Sequence, residues 1–517
     1  MMPEPSQTPR PHIAPPSSAF PTMVSSLRRS TRAALCLAAC AGAVQQSVEQ
    51  RVAAGECSQL APTEGETYFP ASAQARPQIS ADLFDIEYGS NFKVVVSHKV
   101  KEHYVLTQCG QTPPSDAEVE KLLPLASGYQ RKRFTVPLRT ATAGSTVQLG
   151  FLDYLGVWDR ISYITSYAVA ACWQKAASCG AELEGQWGGN ATLRAEQLSS
   201  VDAYFMDCSY TGDCSGVRQQ ANGVHVPTSE DPSPLKSAEY ILFFGAFFNK
   251  DPEAAKHFRD VNASYHSVKV NSGAKPVVAW MSFYSKNYTI SEAHYKKAFV
   301  EDAGGASFDA EKALAGLPGL HVSTSATGKT VTISISNFNA SGLSNEQVKV
   351  AAAAKIMPRL ASVDVLVDET YAPQPRSYDF AAFKDTYELS GSEAYGFLTS
   401  SRVARVDGTL SEGDDLDWYE ARLARPDWAV VGLARVLHPG LFHTRRFFRN
   451  IAANEVPEII KAASCQRTLP ACDATAKAEA IALLGGMDEQ ATNAAPRRSA
   501  AIAAVSVIAT ALVAKAV

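Results

Sequence analysis

Hydrophobic and polar positions follow two different periods along the middle of this chain. Two β-rich runs, at 92–98 and 103–110, are separated by a few charged residues, which predicts a hairpin. Apolar residues recur at helical spacing from Val147 to Leu155, and Gly156 stands where a C′ glycine belongs, which predicts a helix. A further apolar strand is predicted over 201–207. The alternation of strand and helix indicates a parallel sheet covered by helices.

The next segment is helical in pattern. Residues 233–250 are predicted to form one helix, and Asp251 as N-cap with Pro252 at the first helical position begins another. The second helix continues for about five turns at 1.5 Å per residue. Because it lies between two strand-rich halves, it is predicted to be a strut between them.

The second half of the chain repeats the alternation. Strands are predicted at 276–284, 330–336 and 363–371, and helices at 291–305, 345–362 and 377–389. We therefore predict an α/β protein with two Rossmann-like lobes joined by a long interlobe helix. The predicted domains are an N-terminal lobe at 85–250, the interlobe helix at 251–272, and a C-terminal lobe at 273–462.

The N-terminal end has the pattern of a secretory signal. Arg28, Arg29 and Arg32 precede an apolar run over 33–44 that closes on the small residues 41–43. Leader and signal peptide are predicted to span 1–50, followed by an irregular leader at 51–84. The Pro- and Ser-rich residues before Met23 leave open whether translation starts at Met1 or Met23. An organelle transit peptide is the alternative interpretation.

The C-terminal end predicts attachment to a membrane. Residues 499–517 are apolar apart from Lys515, and a Cys-containing helical segment and spacer at 463–498 precede them. The tail is just long enough for a membrane span. Small residues at 485–486 or 493–495 would suit the attachment site of a glycolipid (GPI) anchor. We favour the lipid anchor, because Arg497 and Arg498 would lie outside a span, against the positive-inside tendency.

Charge and cysteine content agree with an exported protein. The net charge of −4 gives no reason to expect nucleic acid as a partner. Even numbers of cysteines in exported chains indicate disulfide bonds rather than metal ligands. Once the signal is removed, the remaining cysteines are Cys57, Cys109, Cys172, Cys179, Cys208, Cys214, Cys465 and Cys472. Their close spacings suggest local bonds 172/179, 208/214 and 465/472, with a longer 57/109 bond, although spacing does not determine connectivity.

Four N-glycosylation sequons point to the same route, through the secretory pathway to the extracellular side of the plasma membrane. Their acceptor residues are Asn190, Asn262, Asn287 and Asn339. The histidines are scattered over different predicted elements, so no metal site is expected.

Three segments of the sequence resemble those of a known protein family. The segments at 144–165, 198–207 and 417–431 resemble the helix-linked (class III) periplasmic binding proteins, which present vitamin B12, haem or iron–siderophores to bacterial importers. The likeness spans roughly residues 85–450, and the third segment is similar to the vitamin B12-binding member. It implies a two-lobed fold without catalytic activity and capture of cobalamin as a transported ligand, whereas glycosylation is expected from the sequons. An unidentified uptake partner is implied as well.

Such a fold binds its ligand in the crevice at the carboxyl ends of the strands of both lobes. Strand ends and helix starts in this sequence offer aromatic walls with a few polar groups. The resulting candidate ligand-binding residues are Tyr167, Trp173, Phe205, Asp207, Glu239, Phe283, Tyr284, Tyr288, Glu369, Tyr371, Asp417, Trp418 and Arg422. Each has a structural alternative: Tyr167 and Phe205 as core, Trp173 against a disulfide, Asp207 and Asp417 as turn or cap residues.

Three functions compete on the sequence alone. The first is a surface-tethered binder of cobalamin, with an iron–siderophore or haem as the neighbouring alternative. The second is a secreted enzyme, which no G-x-S-x-G, H-E-x-x-H or P-loop motif supports. The third is a receptor or adhesion ectodomain without a small ligand, which the sequons and the tail fit equally well.

Overall fold

The computed structural model describes the central part of the chain. The described residues are 68–69, 80–179, 191–207, 215–231, 233–268, 270, 273, 275–339, 341–442, 445–467, 469 and 472. The predicted signal peptide, most of the irregular leader, the spacer and the apolar tail lie outside them, as do Asn190, Cys57, Cys208 and Cys214. None of the helices in the described part has the length and hydropathy of a membrane span.

The N-terminal lobe begins with a four-stranded sheet in the order β1-β2-β3-β4. Its strands are β1 (Phe84–Tyr88), β2 (Phe92–Ser97), β3 (Glu102–Gln108) and β4 (Gln130–Val136). β2 and β3 pair antiparallel, which confirms the predicted hairpin, whereas β3 and β4 are parallel. The crossover between β3 and β4 contains α1 (Asp116–Leu122), which begins with a capping box at Ser115.

A second sheet in the same lobe is entirely parallel, in the order β6-β5-β7-β8. Its strands are short: β5 (Ala141–Ala143), β6 (Ile161–Tyr163), β7 (Ala203–Met206) and β8 (Gly223–His225). The helices between them are α2 (Thr146–Leu155), α3 (Ala171–Ser178), α4 (Ala191–Ser199) and α5 (Ser215–Gln219). The predicted end of α2 is confirmed, because Gly156 caps it with a left-handed φ of 70°.

Two predictions for the helical segment need correction. The single helix predicted at 233–250 is divided into α6 (Pro234–Ala238) and α7 (Tyr240–Phe247). The next helix, α8 (Asp251–His266), has Lys250 rather than Asp251 as its N-cap, and Pro252 is its second residue rather than its first. Every residue of α7 is buried, since it packs its phenylalanines inside the N-terminal core.

The C-terminal lobe is built on a mixed sheet, in the order β12-β13-β10-β9-β14-β15-β17, with β11 pairing β9. The central strands β9, β14 and β15 are parallel. The strands are β9 (Val277–Tyr284), β10 (Asn287–Ala293), β11 (Ala306–Ser307), β12 (Leu320–Ser325), β13 (Gly328–Ser334), β14 (Val365–Asp368), β15 (Val403–Arg405) and β17 (Arg449–Asn450). The short β16 (Thr409–Leu410) and β18 (Glu458–Ile459) form a separate parallel pair.

Helices cover both faces of this sheet. They are α9 (His294–Asp302), α10 (Ala310–Ala313), α11 (Asn345–Ile356), α12 (Phe380–Tyr387), α13 (Gly396–Thr399), α14 (Asp417–Glu420) and α15 (Pro426–Leu437). Along β9 the side chains alternate: Ala279 and Met281 enter one core cluster, and Val278 and Trp280 enter the other. The protein is therefore an α/β molecule with two lobes, as predicted.

The described 3₁₀ helices are short and lie in connections. They span Trp158–Arg160, Ile335–Phe338, Met357–Leu360, Pro375–Ser377, Ile451–Ala453 and Ala462–Ser464. The predicted helix at 291–305 is shorter than expected, because β10 occupies residues up to Ala293 and the helix begins at His294.

The predicted local disulfide bonds 172/179 and 465/472 are wrong. Cys172 bonds to Cys465, and Cys179 bonds to Cys472. Cys172 lies on α3 and Cys179 caps its end, seven residues later. Their Cα atoms are therefore separated by roughly 10 Å along the helix axis. A disulfide needs Cα atoms within about 7 Å. Cys109 is also disulfide-bonded, and its predicted pairing with Cys57 stays a prediction.

Candidate functional site

The carboxyl ends of the parallel strands lead to a group of three tyrosines, which we term the tyrosine rim. Tyr167 follows β6 in the N-terminal lobe, Tyr284 ends β9, and Tyr371 follows β14. Tyr167 and Tyr371 are 41% and 39% exposed.

Two of the rim tyrosines belong to the C-terminal lobe and contact each other. The rings of Tyr284 and Tyr371 meet edge to face with centroids 6.4 Å apart. Partial burial raises the pKa of the Tyr167 phenol, and Asp415 and Tyr371 of the other lobe raise it further. Tyr167 therefore lies near these two groups of the C-terminal lobe.

Buried charges lie at the carboxyl end of β14, next to the rim. The Lys296 ammonium is 2.6 Å from Glu369, and their side chains are 0% and 7% exposed. Burial lowers the pKa of Lys296, while the carboxylate of Glu369 opposes that shift. Removing one partner of such a pair leaves an unpaired buried charge, which is costly.

Aromatic rings surround these charges. The ammonium of Lys296 lies 5.3 Å from the ring centroid of Trp280. The guanidinium of Arg422 lies 4.4 Å from the centroid of Tyr295 and 4.8 Å from that of Trp418. These are cation–π distances. We call Trp280, Tyr295, Lys296, Glu369, Trp418 and Arg422 the cation–π cluster.

A cavity of about 360 Å³ lies where the lobes meet. The N-terminal lobe lines it from α2 and the start of α3, and the C-terminal lobe from α14, α15 and β18. Its polar lining is rich in carboxylates and includes one arginine: Asp153, Asp417, Glu420, Glu458 and Arg446.

Burial dominates the electrostatics of this cavity. It raises the pKa of Asp153 to about 6, although the Trp158 Nε1 donates a hydrogen bond to Asp153 Oδ1 at 2.7 Å. Burial also raises the pKa of Asp417, whose Oδ2 is paired with Arg446 at 2.8 Å.

Glu420 connects the lobes directly. Its carboxylate accepts hydrogen bonds from the backbone N–H groups of Val169 at 2.6 Å and Ala170 at 2.8 Å. Burial raises its pKa well above the usual value. The connection is tight, because a Cβ at Gly150 of α2 would stand 2.2 Å from the Glu420 carbonyl oxygen.

The structure distributes the predicted ligand-binding residues among several places. Tyr167, Tyr284 and Tyr371 form the rim. Glu369, Trp418 and Arg422 belong to the cation–π cluster, and Asp417 lines the cavity. Contact of any of them with a ligand stays a prediction.

The remaining predicted residues are not brought to the rim. Trp173 and Phe205 are fully buried in the N-terminal core, with Trp173 Nε1 donating to the Leu149 carbonyl at 3.2 Å. Phe283 packs on buried Tyr288 with ring centroids 4.6 Å apart. The core alternative therefore describes Phe205 well, and Trp173 and Tyr288 are core side chains too.

Two predicted carboxylates also lie elsewhere. The Glu239 side chain accepts hydrogen bonds from the backbone N–H groups of Ser80 and Ala81, at 2.7 and 2.6 Å, so it fixes the incoming chain. Asp207 accepts a hydrogen bond from Ser229 at 2.6 Å beyond β7.

Sequence reasoning missed several residues of this region. Tyr295 and Lys296 open the helix that follows β10, and the alternation of residues 287–293 was the signal that could have located them. Tyr419, which is 39% exposed on α14, was not predicted, although its neighbour Trp418 was. Asp153 and Glu420 are helical carboxylates whose burial arises only from contact between lobes.

Comparison with known proteins gives fold likenesses alone. No family model and no curated protein matches the chain. A periplasmic binding protein from Veillonella parvula is 11% identical, with a TM-score of 0.40 over 58% of this chain and 91% of that chain.

Two heme-related structures are similar to the same extent. The periplasmic heme binding protein HutB of Vibrio cholerae is 9% identical, with a TM-score of 0.40 over 58% of this chain and 99% of that chain. IsdE of S. aureus complexed with heme is 14% identical, with a TM-score of 0.37 over 58% and 98%. Since these TM-scores are below 0.5, the likenesses carry no argument about what this chain binds.

Proposed function

We propose that this chain is a non-catalytic, extracellular solute-binding protein that holds a small organic ligand between its two lobes. One observation carries the proposal: the tyrosine rim, to which both lobes contribute at the carboxyl ends of parallel strands. Open α/β sheets bind ligands at that edge. Exposed tyrosines offer flat apolar surface and a hydroxyl at low entropic cost, which suits ligand recognition.

Cobalamin is the ligand we propose first. The support is the resemblance of residues 417–431 to the vitamin B12-binding periplasmic protein and of the two-lobed plan to an algal cobalamin acquisition protein. An iron–siderophore or haem is the second candidate. Each of the three is a bulky organic metal chelate, for which aromatic walls offer contact surface.

The lining of the cavity bears on where such a ligand would lie. The cavity of about 360 Å³ is rich in buried carboxylates, among them Asp153, Asp417 and Glu420. A corrin or porphyrin ring is better accommodated by exposed aromatic surface than by buried carboxylates. The proposed ligand is therefore assigned to the tyrosine rim, outside the cavity.

The setting of the proposed activity follows from the predicted ends of the chain. A secreted protein held by its apolar tail would bind the ligand at the cell surface. An uptake partner would then receive it, because a tethered binder cannot itself move a solute across a membrane.

The test is a calorimetric titration of the full chain, produced through a eukaryotic secretory pathway. Cyanocobalamin, a ferric siderophore and haemin are the three ligands. We expect submicromolar binding of cyanocobalamin. Replacing Tyr371→Ala should weaken it about tenfold, because stacked aromatic surface contributes about 1.5 kcal/mol.

The control is Tyr395→Ala. Tyr395 precedes α13, where Gly396 packs on the backbone of Val363 at the amino end of β14, the sheet edge opposite the rim. Its loss should leave the affinity unchanged. Binding of the siderophore or of haemin, without binding of cyanocobalamin, would indicate that the ligand is an iron–siderophore or haem. The proposal would be contradicted if none of the three ligands bound, or if Tyr371→Ala and Tyr395→Ala changed the affinity equally.

A further inference from the structure

Three potential metal ligands converge at the carboxyl edge of the parallel sheet of the N-terminal lobe. Asp207 follows β7 directly, His225 ends β8, and Glu230 lies in the loop after β8. The parallel register pairs Met206 with His225, which places Asp207 and His225 side by side. One ligand atom from each of the three residues lies within 4.8 Å of the other two.

His225 is oriented for coordination. Its side chain is fully buried, and Nδ1 lies 3.2 Å from the carbonyl oxygen of Met206. A carbonyl oxygen only accepts, so Nδ1 carries the hydrogen and the lone pair of the neutral ring is on Nε2. A backbone carbonyl that fixes a histidine in this way is the usual outer partner of a metal-bound imidazole.

The two carboxylates are also held in place. Ser229 Oγ donates to Asp207 Oδ2 at 2.6 Å, and the Lys99 ammonium lies 2.5 Å from Glu230 Oε2. Asp207 is buried and Glu230 half-buried. Hydrogen bonds of this kind orient carboxylate ligands. Lys99 is about half exposed, so it can turn away when a cation neutralises Glu230.

This group of residues is separate from the proposed ligand site. In the sheet order β6-β5-β7-β8, the strand β8 is at the edge opposite β6, whose following loop carries Tyr167. Asp207, His225 and Glu230 all belong to one lobe. A metal here would connect the loop after β8 to β7, whatever the rim binds.

We propose that Asp207, His225 and Glu230 form a site for a divalent transition-metal ion, with Zn²⁺ as the first candidate. One imidazole nitrogen and two carboxylate oxygens are a ligand set that Zn²⁺ takes, with a further position left for water. Cu²⁺ generally binds such a set more tightly than Zn²⁺ does.

The experiment is a Zn²⁺ titration of the full chain after dialysis against a chelator. Bound zinc is counted by mass spectrometry, and Co²⁺ substitution gives a visible spectrum that reports the ligand set. We expect one tightly bound equivalent in the wild-type chain. Substituting Glu230→Gln or His225→Gln should weaken that equivalent at least tenfold and change the Co²⁺ spectrum.

The control is His103→Gln, which removes another buried histidine of the same lobe. It should leave zinc binding unchanged. Because Glu230 is only half-buried, its variant keeps the test valid if the His225 variant does not fold. Absence of a tight equivalent in the wild-type chain, or equal affinity in the Glu230 and His103 variants, would overturn the proposal.

Discussion

At the residue scale, the contact between the lobes contains carboxyl groups whose pKa is raised by burial. Asp153 is the clearest case, with a pKa raised to about 6. In an unfolded chain its pKa would be near 3.9. The folded state therefore binds a proton more tightly, and the stability that this proton brings is present at low pH and is lost as the pH rises through about 6.

The first prediction concerns Asp153→Asn. The amide keeps an oxygen that accepts from the Trp158 indole but carries no charge to desolvate. The variant should match the wild type near pH 4 and be more stable at pH 7. The gain should be on the order of 1–3 kcal/mol, since each unit of pKa corresponds to about 1.4 kcal/mol. Urea unfolding at both pH values measures it.

The neighbouring exposed Asp159 supplies the control for this prediction. It pairs with Arg160 at the surface, so Asp159→Asn should change stability little at either pH. A gain for Asp153→Asn that is the same at pH 4 and pH 7 would show that ionisation of this group does not oppose folding.

At the element scale, the two described disulfide bonds act on one helix. Each joins α3 to the C-terminal segment across 293 residues of sequence. The lobe contact is supported by Gln174 of the same helix, which donates to the Ile460 carbonyl at 2.9 Å. Because the two bonds are parallel, either alone closes the long loop in the unfolded chain.

We therefore predict that removing the first disulfide bond, whichever it is, costs less stability than removing the second. Replacing one pair by serines, for example Cys179→Ser with Cys472→Ser, opens only the small ring between the bonds, and should cost about 3 kcal/mol. Removing the second pair then opens the long loop and should cost about 5 kcal/mol more. Guanidinium unfolding of the two single-pair variants and of the variant lacking both measures this. Equal, additive losses would contradict the parallel-loop account.

Local signals explain which elements the sequence could predict. The hairpin of β2 and β3 and the glycine-capped end of α2 depend on neighbouring residues, and both are confirmed. β10 was missed because its alternation runs directly into the helical pattern that begins at His294. The local disulfides failed because spacing in sequence said nothing of the rigid helix that separates Cys172 from Cys179.

The candidate site likewise contains residues that local sequence could predict and residues that it could not. Tyr371 and Tyr284 could be predicted because strand ends are visible in the sequence and lie at the binding edge of the sheet. The contacts of Glu239 could not be predicted, since its partners Ser80 and Ala81 lie far away in sequence. The convergence of Asp207, His225 and Glu230 depends on strand order, which hydrophobic patterning does not specify.

At the scale of the whole molecule, the two lobes are fastened to one another at several points. Glu420 bonds the backbone of Val169 and Ala170, and the two disulfides hold α3 to the C-terminal segment. Such fastening limits how far the lobes can separate. The proposed site is accordingly largely preformed, and binding would need little rearrangement of the backbone.

The most direct measurement is oxidative footprinting of tyrosines in the full chain, with and without saturating cyanocobalamin. The account predicts that Tyr167 of one lobe and Tyr371 of the other are protected together, while Tyr395 is labelled equally in both samples. Protection confined to one lobe, or no change at either rim tyrosine, would contradict a ligand site shared by the two lobes.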